Sequence, residues 1–156
     1  MTAPKGFHSS DLFSKLTVDE IKRLDEVSFT KDFAEGESVF EFNQACSHLY
    51  MLMEGTVHLM LPSGDGQFDF AFAKVAKNEI FGLSSLMKSP RYTAAARSMT
   101  SSRVLMIEAD PLIKILEQNQ VVGFDIINAV SRIYYHRYLS MLRKLKDIVD
   151  HALEIE

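Results

Sequence analysis

Residues 81–98 read FGLSSLMKSPRYTAAARS, and they concentrate the side chains best suited to holding a small molecule. Phe81 and Gly82 open the stretch, ahead of a short hydroxyl-rich segment. Ser84 and Ser85 bring two hydroxyls and, at the start of a short helix, free amides that favour an anion. Ser84 reads equally well as the cap of that helix. Arg91 precedes Tyr92 and Thr93, and Arg97 closes the run of small residues Ala94 to Ala96. The chemistry on offer is the reversible binding of a small anionic ligand; the alternative is a plain turn between two strands.

Catalytic chemistry finds less support. A metal-dependent β-barrel enzyme needs histidines two residues apart on a strand with a carboxylate nearby. The five histidines, His8, His48, His58, His136 and His151, are scattered, and His58 alternates with Val57 and Leu59 as an outward-facing residue would. No serine or cysteine has a recognisable base in its local pattern, and Cys46 reads as a surface or half-buried thiol. The expectation is therefore a protein that is not an enzyme and holds no metal.

The chain has 156 residues, 47% of them hydrophobic and 24% charged, which suits one domain with a real core. Its net charge of -4 gives it no electrostatic footprint for direct nucleic-acid binding. It contains no apolar run of membrane-spanning length and no secretory leader, and its lone cysteine fits a reducing cytoplasm. Thr17 with Glu20 three residues later forms a capping-box signal, followed by the stripe Leu16, Ile21 and Leu24. From Val27 to Lys77 the chain breaks into short β-rich runs, separated by Gly36, Gly55 and the cluster Ser63-Gly64-Asp65-Gly66. Phe68, Phe70 and Phe72 alternate with Asp69 and Ala71, which predicts a strand with one buried face. Such runs, resumed after the ligand stretch by TAAARSM and SSRVLMIEA, predict a small barrel or jelly roll. Asp110-Pro111 reads as a helix start.

From about Val121 one long helix is predicted to run almost to the end. Ile127, Tyr134, Tyr138, Met141, Leu145, Ile148 and Ala152 follow a four-three spacing, with Ser131 as the polar exception. No further segment follows to cover this seam, so its distal half reads as a subunit contact in a homodimer. The division is a helical segment at 1–26, a β-roll at 27–109 with the ligand stretch at 80–97, and C-terminal helices at 110–156.

The order of these elements, with FAEGESVF, LYMLMEGTVHLML, NEIFG, PRYTAAARS and RVLMIEADPLIKIL, resembles the cyclic-nucleotide-binding domain. More narrowly, it resembles the effector domain of catabolite-activator and FNR-type regulators. The resemblance implies a mainly β fold with flanking helices, a double-stranded β-helix of jelly-roll type followed by a long helix. It also implies that residues 80–97 are a phosphate-binding cassette, usually Phe-Gly-Glu, a short helix, then Pro-Arg-Ser/Thr-Ala. In the family, helix amides and the arginine hold the cyclic phosphate while the glutamate accepts from the ribose. Carried over, Gly82 matches the glycine, and Asn78 stands where another glycine often precedes the cassette. Leu83 takes the glutamate's place and Tyr92 the arginine's, with Arg91 one residue early. One residue of displacement on a strand turns a side chain to the opposite face. The family's long helix contributes groups near the base, which places Arg137 and Tyr138 there; Arg137 also reads as a solvated residue on an exposed face.

The implied ligand-binding residues are thus Gly82, Leu83, Ser84, Ser85, Arg91, Tyr92, Thr93, Arg137 and Tyr138. The implied ligand is a cyclic nucleotide, cAMP or cGMP. The implied role is a cytoplasmic sensing domain that signals through a dimer helix to a protein partner, without a DNA-binding domain of its own. Two alternatives stand beside it. One is a ligand-free interaction module whose pocket Leu83 and Tyr92 plug; the other is a haem sensor using His8, Cys46, His48 or Met51.

Overall fold

The computed structural model describes residues 11–155. A 3-10 turn at Asp11–Phe13 leads into α1, Val18–Glu26. The capping box forms as its residue types require: the Glu20 amide donates to Thr17 Oγ1 at 3.2 Å, and the Thr17 backbone bonds the Glu20 carboxylate in return, with the Thr17 hydroxyl donating to Glu20 Oε1 at 2.9 Å besides.

Eight strands follow: β1 Ser28–Phe33, β2 Ser38–Phe40, β3 His48–Glu54, β4 Val57–Pro62, β5 Asp69–Val75, β6 Ile80–Phe81, β7 Ala95–Ser98 and β8 Ser102–Glu108. They pair antiparallel into two four-stranded sheets, ordered β1-β8-β3-β6 and β2-β7-β4-β5, the jelly-roll arrangement. The run HLYMLM on β3 lacks polar alternation because both of its faces are covered. Tyr50 and Leu52 point between the sheets, beside Phe40, Val57, Phe81 and Val104. Leu49 and Met51 point outward, beneath the helices, with Leu105, Ile107 and Leu24.

β5 departs from the sequence expectation. Phe68 and Phe70 lie exposed, and the buried face predicted for this strand is confined to its far end, where Val75 is covered. β5 is an edge strand of its sheet, paired only with β4, and Phe70 at its start is left exposed. Its pairing with β4 shifts between Leu59 and Met60, where Phe72 is the extra residue. The shift occurs where the strand reaches the core.

α2, Ala109–Gln118, starts one residue before the predicted aspartate cap. Its first amide, Ala109 N–H, is taken by the Ser47 carbonyl at 3.0 Å, and no side chain caps it. Pro111 then falls within the first turn, where its missing N–H has no intrahelical partner to lose. α3 spans Gln120–Glu154, capped by Asn119, whose Oδ1 accepts from the Val122 amide. Val122, Ile126 and Val130 anchor its first third in the core, and the apolar seam beyond them lies exposed on the single chain.

Candidate ligand-binding site

The ligand stretch begins with two left-handed residues. Asn78 has φ 64° and Gly82 has φ 70°, which makes the sharp entry into the 3-10 turn Leu83–Ser85. A Cβ at Gly82 would lie 2.6 Å from Tyr50 Cδ2, so this position demands glycine for space as well as for conformation. Within the turn, the Ser85, Leu86 and Met87 amides are bonded to carbonyls of the turn itself. Among the described residues, the Leu83 and Ser84 amides have no such partner, as expected for the start of a helical turn.

Tyr92 is buried and stacks on Phe40 with ring centroids 4.1 Å apart. Its hydroxyl donates to the His48 carbonyl at 2.8 Å and accepts from the His48 amide at 3.2 Å. A further contact, 3.3 Å to the Tyr50 hydroxyl, ties it into a buried aromatic cluster. Burial, reinforced by this contact, pushes the Tyr50 phenol well above its ordinary range.

Arg91 points the other way. Residues 43–46 zip against 90–92 through the Tyr92 amide to Gln44, the Asn43 amide to Tyr92 and the Cys46 amide to Pro90. The exposed Arg91 guanidinium donates to the Asn43 carbonyl at 2.7 Å.

Between the β-roll and α3 lies a cavity of about 240 Å³. The cassette side is Gly82, Leu83, Ser84, Tyr92, Thr93 and Ala94. Phe40, Leu59 and Phe72 line it from the strands, and Tyr134, Arg137, Tyr138 and Met141 from α3. Ser84 and Thr93 share a hydroxyl contact at 3.3 Å.

The structure thus gathers Gly82, Leu83, Ser84, Tyr92, Thr93, Arg137 and Tyr138 around one cavity and leaves two predicted site residues outside it. Ser85 turns back to donate to the Gly82 carbonyl at 2.9 Å. Arg91 is displaced because neighbouring residues of an extended segment face opposite sides, and Tyr92 holds the inner one.

Arg137 is not the solvated residue that its place on a helix suggested. Its side chain is 17% exposed and lies 3.7 Å from Glu79 Oε1, too long for a hydrogen bond. Its Nη2 is sealed from solvent with no hydrogen-bond partner. Burial pulls the guanidinium pKa down against the opposing pull of Glu79, and burial pushes the Glu79 carboxyl up against the pull of Arg137. Glu79 and the walls Phe40, Leu59 and Phe72 carry no local sequence signal of their place at the cavity. Arg137 is not a member of the four-three seam, and only the way α3 lies against the roll brings it to the cavity beside Tyr134, Tyr138 and Met141.

Residues 30–119 match the cyclic nucleotide-binding domain family. The chain belongs to this family. A candidate cyclic nucleotide-binding protein from Geobacter metallireducens GS-15 superposes at TM-score 0.70 with 30% identity, covering 88% of this chain and 99% of that one. The sensor domain of the transcriptional regulator DNR from Pseudomonas aeruginosa has the same fold, with TM-score 0.73 and 18% identity, over 86% and 95% of the two chains. The anaerobic regulatory protein of Bacillus subtilis is 24% identical over 92% of this chain, which spans 57% of that protein's length. The first of these shares the family, and the DNR sensor domain shares the fold.

Against the cassette of that family, Leu83 presents a buried hydrocarbon where a carboxylate is usual, and Tyr92 fills the arginine's place with its hydroxyl already committed. Of the residues considered for haem, His8 lies outside the described residues. Met51 is enclosed in the core, and the His48 ring packs edge-on to Phe29 while contacting the Ser47 hydroxyl. Among the described residues no three His, Cys, Asp or Glu side chains converge, and no helix is long and apolar enough to cross a membrane.

Proposed function

We propose that this cyclic nucleotide-binding domain senses a small anionic molecule in the cavity between its cassette and α3. It passes the signal on through α3 paired with a second copy and, beyond it, to a protein partner. The observation that carries this reading is Arg137: a guanidinium largely withdrawn from water, lining a cavity, with no hydrogen bond to any described residue. Buried charged donors are nearly always hydrogen-bonded, and leaving one uncommitted costs stability unless a ligand completes it. Glu79 balances the charge at 3.7 Å without claiming the donors. The free Leu83 and Ser84 amides and the Ser84 and Thr93 hydroxyls offer further contacts from the opposite wall.

Because the cavity has one wall on the β-roll and the other on α3, anything bound there favours the arrangement in which both walls reach it. This is a population shift of the helix relative to the roll. A cyclic nucleotide is the ligand the family brings to the test. Titration calorimetry with cAMP, cGMP and cyclic dinucleotides, on the wild type, Arg137→Ala and Arg91→Ala, tests the site. The expected result is saturable binding of an anion that Arg137→Ala abolishes and Arg91→Ala leaves within about twofold, since Arg91 makes an exposed contact to a carbonyl. Binding that depends on Arg91 and ignores Arg137 would refute it. A ligand-free interaction module is favoured by Tyr92 and Leu83 occupying two ligand-contact positions; it predicts no binding of any small anion.

A further inference from the structure

We infer that the ligand is a compact apolar monoanion, an aromatic or branched-chain carboxylate, rather than a cyclic nucleotide. The inference rests on the anion-sensing reading and narrows it through the chemistry of the walls.

Size is the first argument. A cavity of about 240 Å³ falls below the roughly 300–1,000 Å³ typical of sites for drug-sized ligands. Polarity is the second. A nucleotide brings ribose oxygens, a purine edge and a phosphodiester, and each buried polar group left without a partner is penalised. No carboxylate or carboxamide side chain lines the cavity, because Leu83 stands in the acidic position. The Tyr92 hydroxyl is spent on the His48 backbone, which leaves the Ser84 and Thr93 hydroxyls and the Leu83 and Ser84 amides as the polar groups of the cassette wall, fewer than a nucleotide needs.

The walls themselves favour an apolar body. Phe40, Phe72, Tyr134 and Tyr138 present aromatic rings, and Leu59 and Met141 add flexible hydrocarbon and thioether surface. Charge is the last argument. The cavity lining contains one cation, Arg137, and one positive charge suits a single carboxylate, held by the guanidinium donors left over from the sealed Nη2 that faces Glu79. Such a ligand takes over from Glu79 as counter-ion, while its apolar end fills the space against Phe40 and Leu59.

The test is calorimetric titration of the intact protein with phenylacetate, 4-hydroxyphenylacetate and 3-methylbutanoate, with the neutral isostere phenylacetamide and with cAMP and cGMP. The proteins are the wild type, Arg137→Met, which keeps the hydrocarbon bulk, and Glu79→Gln, which removes the resting counter-ion. At least one carboxylate should bind, with phenylacetamide at least about tenfold weaker and Arg137→Met weaker by a similar factor. Glu79→Gln should bind the carboxylate more tightly, a gain that a misfolded variant cannot produce. Cyclic nucleotide binding that needs Arg137, with no carboxylate binding, overturns the inference and leaves the sensor reading standing. Equal binding of phenylacetate and phenylacetamide, or weaker carboxylate binding in Glu79→Gln, also overturns it. Failure of every compound to bind removes both.

Discussion

Gly82→Ala tests the reasoning that joins the cassette to the core. The new Cβ would meet Tyr50 Cδ2 at 2.6 Å, Tyr50 Cε2 at 3.0 Å and Phe40 Cε1 at 3.4 Å, at a backbone φ of +70°. Tyr50 is buried among Phe40, Phe81 and Tyr92, so its ring has no open side to move into. The left-handed backbone alone costs a non-glycine residue about 1–2 kcal/mol. Overpacking a filled core adds about 1–3 kcal/mol. The two together give about 2–5 kcal/mol, and at about 2–4 °C per kcal/mol for a domain of this size the melting temperature should fall by at least about 4 °C.

Gly36→Ala supplies the internal control. Gly36 has φ +85° with nothing within 4 Å of the added Cβ, so it carries the conformational cost without the clash. The difference between the two variants in urea unfolding, followed by far-UV circular dichroism, isolates the packing contribution. Equal destabilisation by the two would show that Tyr50 yields freely. The aromatic wall would then not be a rigid boundary of the cavity.

Other outcomes follow from the same contacts. Tyr92→Phe keeps the stack on Phe40 but strips the bonds to His48, so urea unfolding should report a loss of about 1–2 kcal/mol with the cavity intact. Glu79 should make stability fall with rising pH. Burial raises its folded pKa above the unfolded value of 4.5, so the folded state holds more protons in the window that opens there, and the slope of stability against pH is negative. Urea midpoints from pH 4.5 upward should decline less steeply in Glu79→Gln than in the wild type; parallel profiles would contradict the assignment. Leu145→Glu places a charge in the exposed seam of α3, and sedimentation should show a dimer for the wild type and a monomer for the variant.

Local signals made much of the fold legible, and long-range packing decided the rest. The Thr17–Glu20 box, the breaks at Gly36 and Gly55, and the uninterrupted α3 are local, and each appears where residue type and spacing put it. Phe68 and Phe70 misled because a period of two says which side chains share a face, not whether anything covers that face; β5 is an edge strand. Asp110 resembled a cap, but the Ser47 carbonyl, 62 residues away along the chain, took the first amide and moved the start to Ala109. Around the cavity, the Arg91–Tyr92 displacement was readable as a change of face and is found as one. The burial of Arg137 depends on how α3 lies against the roll, and no neighbour in sequence encodes that.

Val130 is the last fully buried residue of α3 and Ile133 packs at the core's edge, while Arg137 lines the cavity and the helix continues to Glu154. That geometry makes the free portion a lever arm. At about 1.5 Å per residue, a tilt of about 10° pivoting at Arg137 carries the tip sideways by about 4 Å. On the proposed reading, a change of counter-ion at one guanidinium would be magnified at the far end, where a neighbouring molecule reads it as a displacement.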